Sequence, residues 1–169
     1  MSTPNDFFGV PIHRNRHPAA TRVPQRPLSA LRPLFEAVLQ DPEIAAFGWS
    51  QSGPVPSGDG RTAGLRIGPP WFRTTTDHAV RDLRTLSLEH QHPSLGGHRY
   101  DESGGGTARR RLPYQGPDRE RYGRAKRLAE ALESGAFDRA LVEFFGGGRG
   151  ATEVTVWPDR IRVVEHTLA

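Results

Sequence analysis

The sequence has no cysteine. Disulfides, thiolate metal ligands and a thiol nucleophile are therefore excluded, and with them a secreted disulfide scaffold. Lysine is nearly absent as well: Lys126 is the single one among 23 basic residues, and all the others are arginine. Because arginine codons are GC-rich, that ratio reflects genome composition more than it marks a binding role. No apolar run approaches the roughly 20 residues that a membrane-spanning helix needs, so no membrane partner is expected. The opening Met1-Ser2-Thr3-Pro4-Asn5-Asp6 has no basic stretch leading into an apolar one, which makes the cytoplasm the expected compartment. Glycine clusters at 104–106 and 146–148 are not followed by Lys-Ser or Lys-Thr. No Gly-x-Ser-x-Gly, His-Glu-x-x-His or calcium-loop pattern occurs either, so no cofactor and no catalytic residue is expected.

What remains is a chain of 169 residues, 35% hydrophobic and 25% charged, with 19 glycines and 15 prolines. That length suits one domain. A formal charge of +4 and a pI near 10.3 invite a nucleic-acid partner, but only modestly for a chain of this size. Residues 1–27 read as a flexible Pro/Arg-rich arm, in which Pro4, Pro11, Pro18, Pro24 and Pro27 forbid a continuous helix. Within it, Phe7, Phe8, Val10 and Ile12 form an apolar cluster beside Arg14 and Arg16, the composition of a docking segment for another protein.

Residues 28–169 read as a single α+β domain. Leu31, Leu34, Phe35, Val38 and Leu39 follow helical spacing over 29–40, with Ser29 as N-cap and Asp41-Pro42 as the stop. Strands are predicted at 44–51 and 62–67, joined by a Gly/Pro/Ser-rich turn. For 71–90 the prediction is a helix beginning near Asp77, in spite of the strand-favouring Thr74-Thr75-Thr76. A long irregular loop is predicted at about 91–117. Pro117-Asp118-Arg119-Glu120 opens a helix to Glu133, with Tyr122, Ala125, Leu128, Ala129 and Leu132 on one face. A further helix spans 136–145. Two alternating arms, 153–157 and 160–165, flank Pro158-Asp159 as a β-hairpin. The expectation is a small antiparallel sheet of about four strands covered by three or four helices.

A helix ending in Asp41-Pro42-Glu43, then Phe47-Gly48-Trp49-Ser50-Gln51, a turn with Gly58-Asp59-Gly60 and a second strand resembles the start of a family of small uncharacterised bacterial and phage proteins. The helix, strand, turn and strand over 137–166 are similar to that family's C-terminal part. The chain departs from the pattern at Ser52 to Ser57 and after Phe145-Gly146, where an Asp-His is absent. The resemblance implies the same α+β fold and an accessory role of phage or mobile-element type; it implies no activity.

Three functional readings follow. The first is a non-catalytic protein-interaction protein, contacting its partner through the arm (Phe7, Phe8, Val10, Ile12, Arg14, Arg16) or the exposed sheet. The second is a nucleic-acid-binding module built on Arg109, Arg110 and Arg111, with Tyr114 for stacking and Arg124 on the following helix. The third is a metal-dependent enzyme. His90 and His92 form a His-x-His pair, and His98 with Asp101-Glu102 lies close enough in sequence to complete a shell.

Overall fold

The computed structural model describes residues 6–7, 10–11, 23–53, 65–101, 109–147 and 150–167. Within the arm, β1 (Asp6–Phe7) and β2 (Val10–Pro11) pair antiparallel, with Phe7 opposite Val10. Phe8, Ile12, Arg14 and Arg16 lie outside the described residues, as do the side chains of Phe7 and Val10. A short 3-10 turn at Leu28–Ala30 leads into α1 (Arg32–Leu39), with Pro33 in its first turn, where a missing N–H costs nothing. Ser29 sits inside the 3-10 turn, and Leu31 occupies the N-cap without a side-chain bond. Beyond α1, the Asp41 carboxylate accepts from the Glu43 amide at 3.0 Å and turns the chain into β3 (Ile44–Ser52).

β3 is the centre of the sheet. Phe47, Trp49 and Gln51 alternate toward the helices, each at most 2% exposed. β4 (Arg66–Ile67) and β5 (Trp71–Thr74) lie end to end along one side of it, Ile67 opposite Gln51 and Phe72 opposite Phe47. They are one antiparallel course interrupted by Gly68-Pro69-Pro70. Gly68 still donates to the Ser50 carbonyl at 2.8 Å, but the two prolines have no N–H with which to continue the ladder.

The helix expected from Asp77 is absent. The Asp77 carboxylate instead accepts from the Thr74 amide (2.9 Å) and the Thr74 hydroxyl (2.8 Å), closing a turn directly after β5. A short acidic side chain competes for nearby backbone donors in this way, and that local bond wins over the weak Ala79, Leu83, Leu86 periodicity. The only helical piece there is a 3-10 turn, Leu83–Leu86, started by Asp82 accepting from Arg84 N at 3.0 Å. The described part of 91–117 is tied down by isolated bridges, His92 to Gly96 and Gly97 to Gln115. A short pair joins β6 (Tyr100–Asp101) to β7 (Arg110–Arg111).

α2 (Arg119–Glu133) begins where the Asp118 carboxylate caps Arg121 N at 2.9 Å, and it buries the five predicted residues. Gly135, at φ +78°, turns the chain into α3 (Asp138–Phe145). β8 (Gly150–Trp157) and β9 (Arg160–Thr167) form the predicted hairpin, longer than expected at its open end. Among the described residues the main sheet therefore has five antiparallel strands, with β4 and β5 beside β3, then β8, then β9 at the edge. The fifth strand, β5, lies just before the helix expected from Asp77, at the strand-favouring Thr74. The core joins Val38, Phe47, Trp49, Phe72, Leu128, Leu141, Val154 and Val156. Its rings meet edge to face, Phe35 to Phe47 at 5.2 Å and Trp49 to Phe145 at 5.5 Å. Among the described residues, no helix is long and apolar enough to cross a membrane.

Candidate partner-binding edge

Strand alternation and register decide what β9 presents. Ile161 is opposite Val156 and Val163 opposite Val154, so both point to the helix-bearing side of the sheet. Val154 and Val156 are each 1% exposed, yet Ile161 and Val163 are 48% and 41% exposed. The helices cover β3 and β8 and stop short of the last strand. Among the described residues β9 pairs with β8 alone, which leaves its other side open over eight residues.

Edge strands are commonly guarded by charged side chains that project across the open side. Here Arg160, Arg162, Val164 and His166 occupy the opposite face with Trp157, by the same register. The guanidinium carbons of Arg160 and Arg162 lie 4.5 and 5.3 Å from the Trp157 ring centroid. These cation–π contacts draw both charges back over β8. His166 sits 3.6 Å from Glu153, again on β8.

The far end of this edge is positioned by a buried amide. Gln51 accepts from the Trp49 indole N–H at 2.9 Å and donates to the carbonyls of Leu141 (3.1 Å) and Gly146 (2.8 Å). The Trp-Ser-Gln of the sequence is thus a latch between β3 and the end of α3. That end reaches β9: a Cβ built on Gly146 would lie 3.1 Å from Glu165 Oε1. The last turn of α3 carries Phe144, which is 64% exposed.

The histidines of the metal reading are not brought together as ligands. His92 is buried, its Nε2 bonded to the Phe72 carbonyl at 2.7 Å. Its Nδ1 accepts from the amides of Leu95 (3.0 Å) and Ser94 (3.1 Å), which sets the Nε2–H tautomer and leaves neither nitrogen for a metal. Burial holds this imidazole below its usual range, against the Phe72 carbonyl and Asp77. His98 is bonded through Nδ1 to the Leu112 carbonyl at 2.9 Å. His90 lines an open cleft of about 570 Å³ on the outer face of the sheet, with Trp71, Arg84, Glu89 and Glu153. Among the described residues, no three His, Asp or Glu side chains are grouped to hold a metal.

Ser94 Oγ lies 2.6 Å from Asp77 Oδ2 and 3.3 Å from His92 Nδ1. A serine, a histidine and an aspartate are together, but in the wrong order for nucleophilic catalysis. There the histidine stands between serine and carboxylate; here the serine bonds the carboxylate directly and the histidine ends on a backbone carbonyl. Burial would raise the Asp77 carboxyl, but bonds from Ser94, the Thr74 amide and the Thr74 hydroxyl outweigh it and hold it below its usual range. The cluster anchors the loop after β5.

The arginines divide. Arg109, Arg110 and Arg111 are exposed, with Tyr100 opposite Arg111 across the β6–β7 pair and 52% exposed. Arg124 is not part of that surface: with Arg121 it holds the buried Asp41 carboxylate, at 2.5 and 3.0 Å. Tyr114 turns inward, donating to the Leu95 carbonyl at 2.7 Å and packing 5.2 Å from the Tyr122 ring. Neither the Asp41 pair nor the exposure of Phe144, Ile161 and Val163 is legible in the sequence. Asp41 stands out only as a helix stop, and the alternation of β9 predicts a strand without saying whether its inner face is covered. The arm is rooted at the α2–α3 corner, where Gln25 bonds the Gly135 carbonyl (2.7 Å) and Arg139 N (2.9 Å) and Arg26 N bonds the Ala136 carbonyl (2.7 Å).

No protein-family model, curated protein or solved structure matches the chain.

Proposed function

We propose that this chain is a non-catalytic interaction protein that docks an extended segment of a protein partner along β9. The observation that carries the reading is an edge strand of eight residues whose inward Ile161 and Val163 are exposed and whose arginines are held over Trp157. An added strand gains main-chain hydrogen bonds along the edge and covers the two apolar side chains. The arm, with its Phe7, Phe8, Val10 and Ile12 cluster, supplies a second contact, and the resemblance to phage and bacterial proteins suits an accessory role. A photo-reactive residue at Val163, with one at exposed Glu130 as control, tests the reading in the source cell. A discrete protein attached at 163 but not at 130, unaffected by nuclease, is the expected product. Equal attachment at both positions, or none at 163, overturns it.

Exposed Arg109, Arg110 and Arg111 beside Tyr100 favour one second reading, contact with nucleic-acid phosphates. It predicts retention on DNA that falls steeply with salt and is lost in the triple alanine variant. Retention unchanged by that variant removes it.

A further inference from the structure

We infer that the outer face of the sheet binds a nucleoside monophosphate unit, its base against Trp71 and its phosphate at Arg84 and His90. The inference is independent of what docks on β9.

By register, Trp71, Gly48 and Thr155 lie side by side on the face away from the helices. A Cβ on Gly48 would come within 2.8 Å of the Trp71 ring, so the glycine leaves room for the indole to rest against β3. The half-buried indole forms one wall of the cleft of about 570 Å³, a size that suits a small molecule. Ser87 bridges to Trp71 and lines the same cleft. It is only 3% exposed, yet its hydroxyl has no hydrogen bond to a described residue. A buried hydroxyl so placed is open to a ligand's donor or acceptor. Glu89 and Glu153 add two carboxylates to this compartment.

Arg84 and His90 also line a second cleft, of about 440 Å³, together with Val80, Thr85, Gln91 and Pro93. No carboxylate belongs to this lining, and Arg84 makes no ion pair with a described residue. The shared guanidinium and imidazole thus separate a compartment with an aromatic wall and two acids from one with no acid. Each part asks for a different group. The indole suits a flat ring. The carboxylates and Ser87 suit N–H and O–H donors. Arg84 suits an anion held on the side away from those carboxylates, and phosphate matches guanidinium geometry. A neutral sugar would leave Arg84 unmatched, and an aliphatic acid would leave the carboxylates and the indole unmatched. Base, sugar hydroxyls and phosphate together answer all three.

A free nucleotide and the 5′-phosphorylated end of a single strand share this chemistry, and titration separates them. Calorimetry on the full chain should compare AMP, GMP, CMP and UMP with their nucleosides and with short 5′-phosphorylated single strands, circular dichroism confirming that each variant folds. The expected result is a nucleotide that binds more tightly than its nucleoside. Arg84→Ala, at an exposed position, should weaken the nucleotide at least about 10-fold and leave the nucleoside unchanged. Trp71→Ala should weaken both, and the Arg109, Arg110 and Arg111 triple alanine variant neither. A single strand that binds more tightly than the nucleotide, and weakens with it in Arg84→Ala, assigns the unit to a strand end; equal affinity assigns it to the free nucleotide. No binding of any of the four nucleotides at millimolar concentration overturns the inference. So does binding that Arg84→Ala leaves undiminished, or that only the triple variant abolishes.

Discussion

Replacing Gln51 by alanine should cost this domain a large part of its stability. The side chain is 1% exposed and makes three hydrogen bonds, to the Trp49 indole and to the carbonyls of Leu141 and Gly146. Each bond made contributes about 1 kcal/mol, but a buried group left without a partner costs about 1–3 kcal/mol. The indole N–H of Trp49, itself 2% exposed, cannot reach water without the strand opening. Adding a modest cavity, the loss comes to about 3–5 kcal/mol, against a typical total of about 5–15 kcal/mol for a domain. Gln51→Glu keeps the shape but points a carboxylate at two carbonyls, and it should be at least as damaging at neutral pH. That penalty should ease on acidification, when the protonated acid can donate to one carbonyl. Urea unfolding followed by tryptophan fluorescence measures both variants. A loss below about 1 kcal/mol in each would refute the latch, since no arrangement of three satisfied buried bonds is that cheap to remove.

Other perturbations follow from the same contacts. Asp41→Asn should cost about 2–3 kcal/mol at neutral pH, because it leaves Arg121 and Arg124 facing an uncharged amide. Burial raises the wild-type Asp41 carboxyl, but bonds from Arg124, Arg121 and the Glu43 amide outweigh it, so its pKa is lowered from 3.8. Its stabilisation is therefore complete above that value and is lost as pH falls through the folded pKa; the variant should lack this acid-side slope in urea titrations. Asp138 has the opposite sign. Burial raises its carboxyl from 3.8, the Leu65 amide offsets this in part, and among the described residues Oδ1 has no partner. Ionised Asp138 thus opposes folding above its folded pKa, and Asp138→Asn should leave the melting temperature at pH 7 unchanged or higher. A clear fall in that temperature would contradict the assignment. Gly48→Ala should destabilise by about 1–3 kcal/mol or more, since the added methyl would sit 2.3 Å from the Val154 carbonyl and 2.8 Å from the Trp71 ring; an unchanged urea midpoint would count against that packing.

Period and punctuation made much of the fold legible in the sequence. Tyr122, Ala125, Leu128, Ala129 and Leu132 announce the buried face of α2, and Pro158-Asp159 between two alternating arms announces the β8–β9 hairpin. The misreading at 71–90 arose because the deciding interaction, Asp77 with Thr74, is a three-residue side-chain bond that leaves no trace in apolar periodicity. The candidate edge was only half legible. Alternation predicts that Ile161 and Val163 share a face, but their exposure depends on how far α2 and α3 reach across the sheet. The end of α3 is held by the Gln51 latch, whose bonds to Leu141 and Gly146 are long-range in sequence. The arginines show the same limit. Arg109–Arg111 and Arg124 are close in sequence and similar in chemistry, yet only a tertiary contact with Asp41 tells them apart.

Amide hydrogen exchange along Arg160–His166, read residue by residue by NMR in the free protein and after addition of the protein captured at Val163, tests the docking edge most directly. The account predicts that every second amide, the set facing away from β8, exchanges quickly in the free protein and slows when that partner occupies the edge. Alternate amides that stay equally fast with the partner present, or a strand uniformly protected from the start, would contradict it.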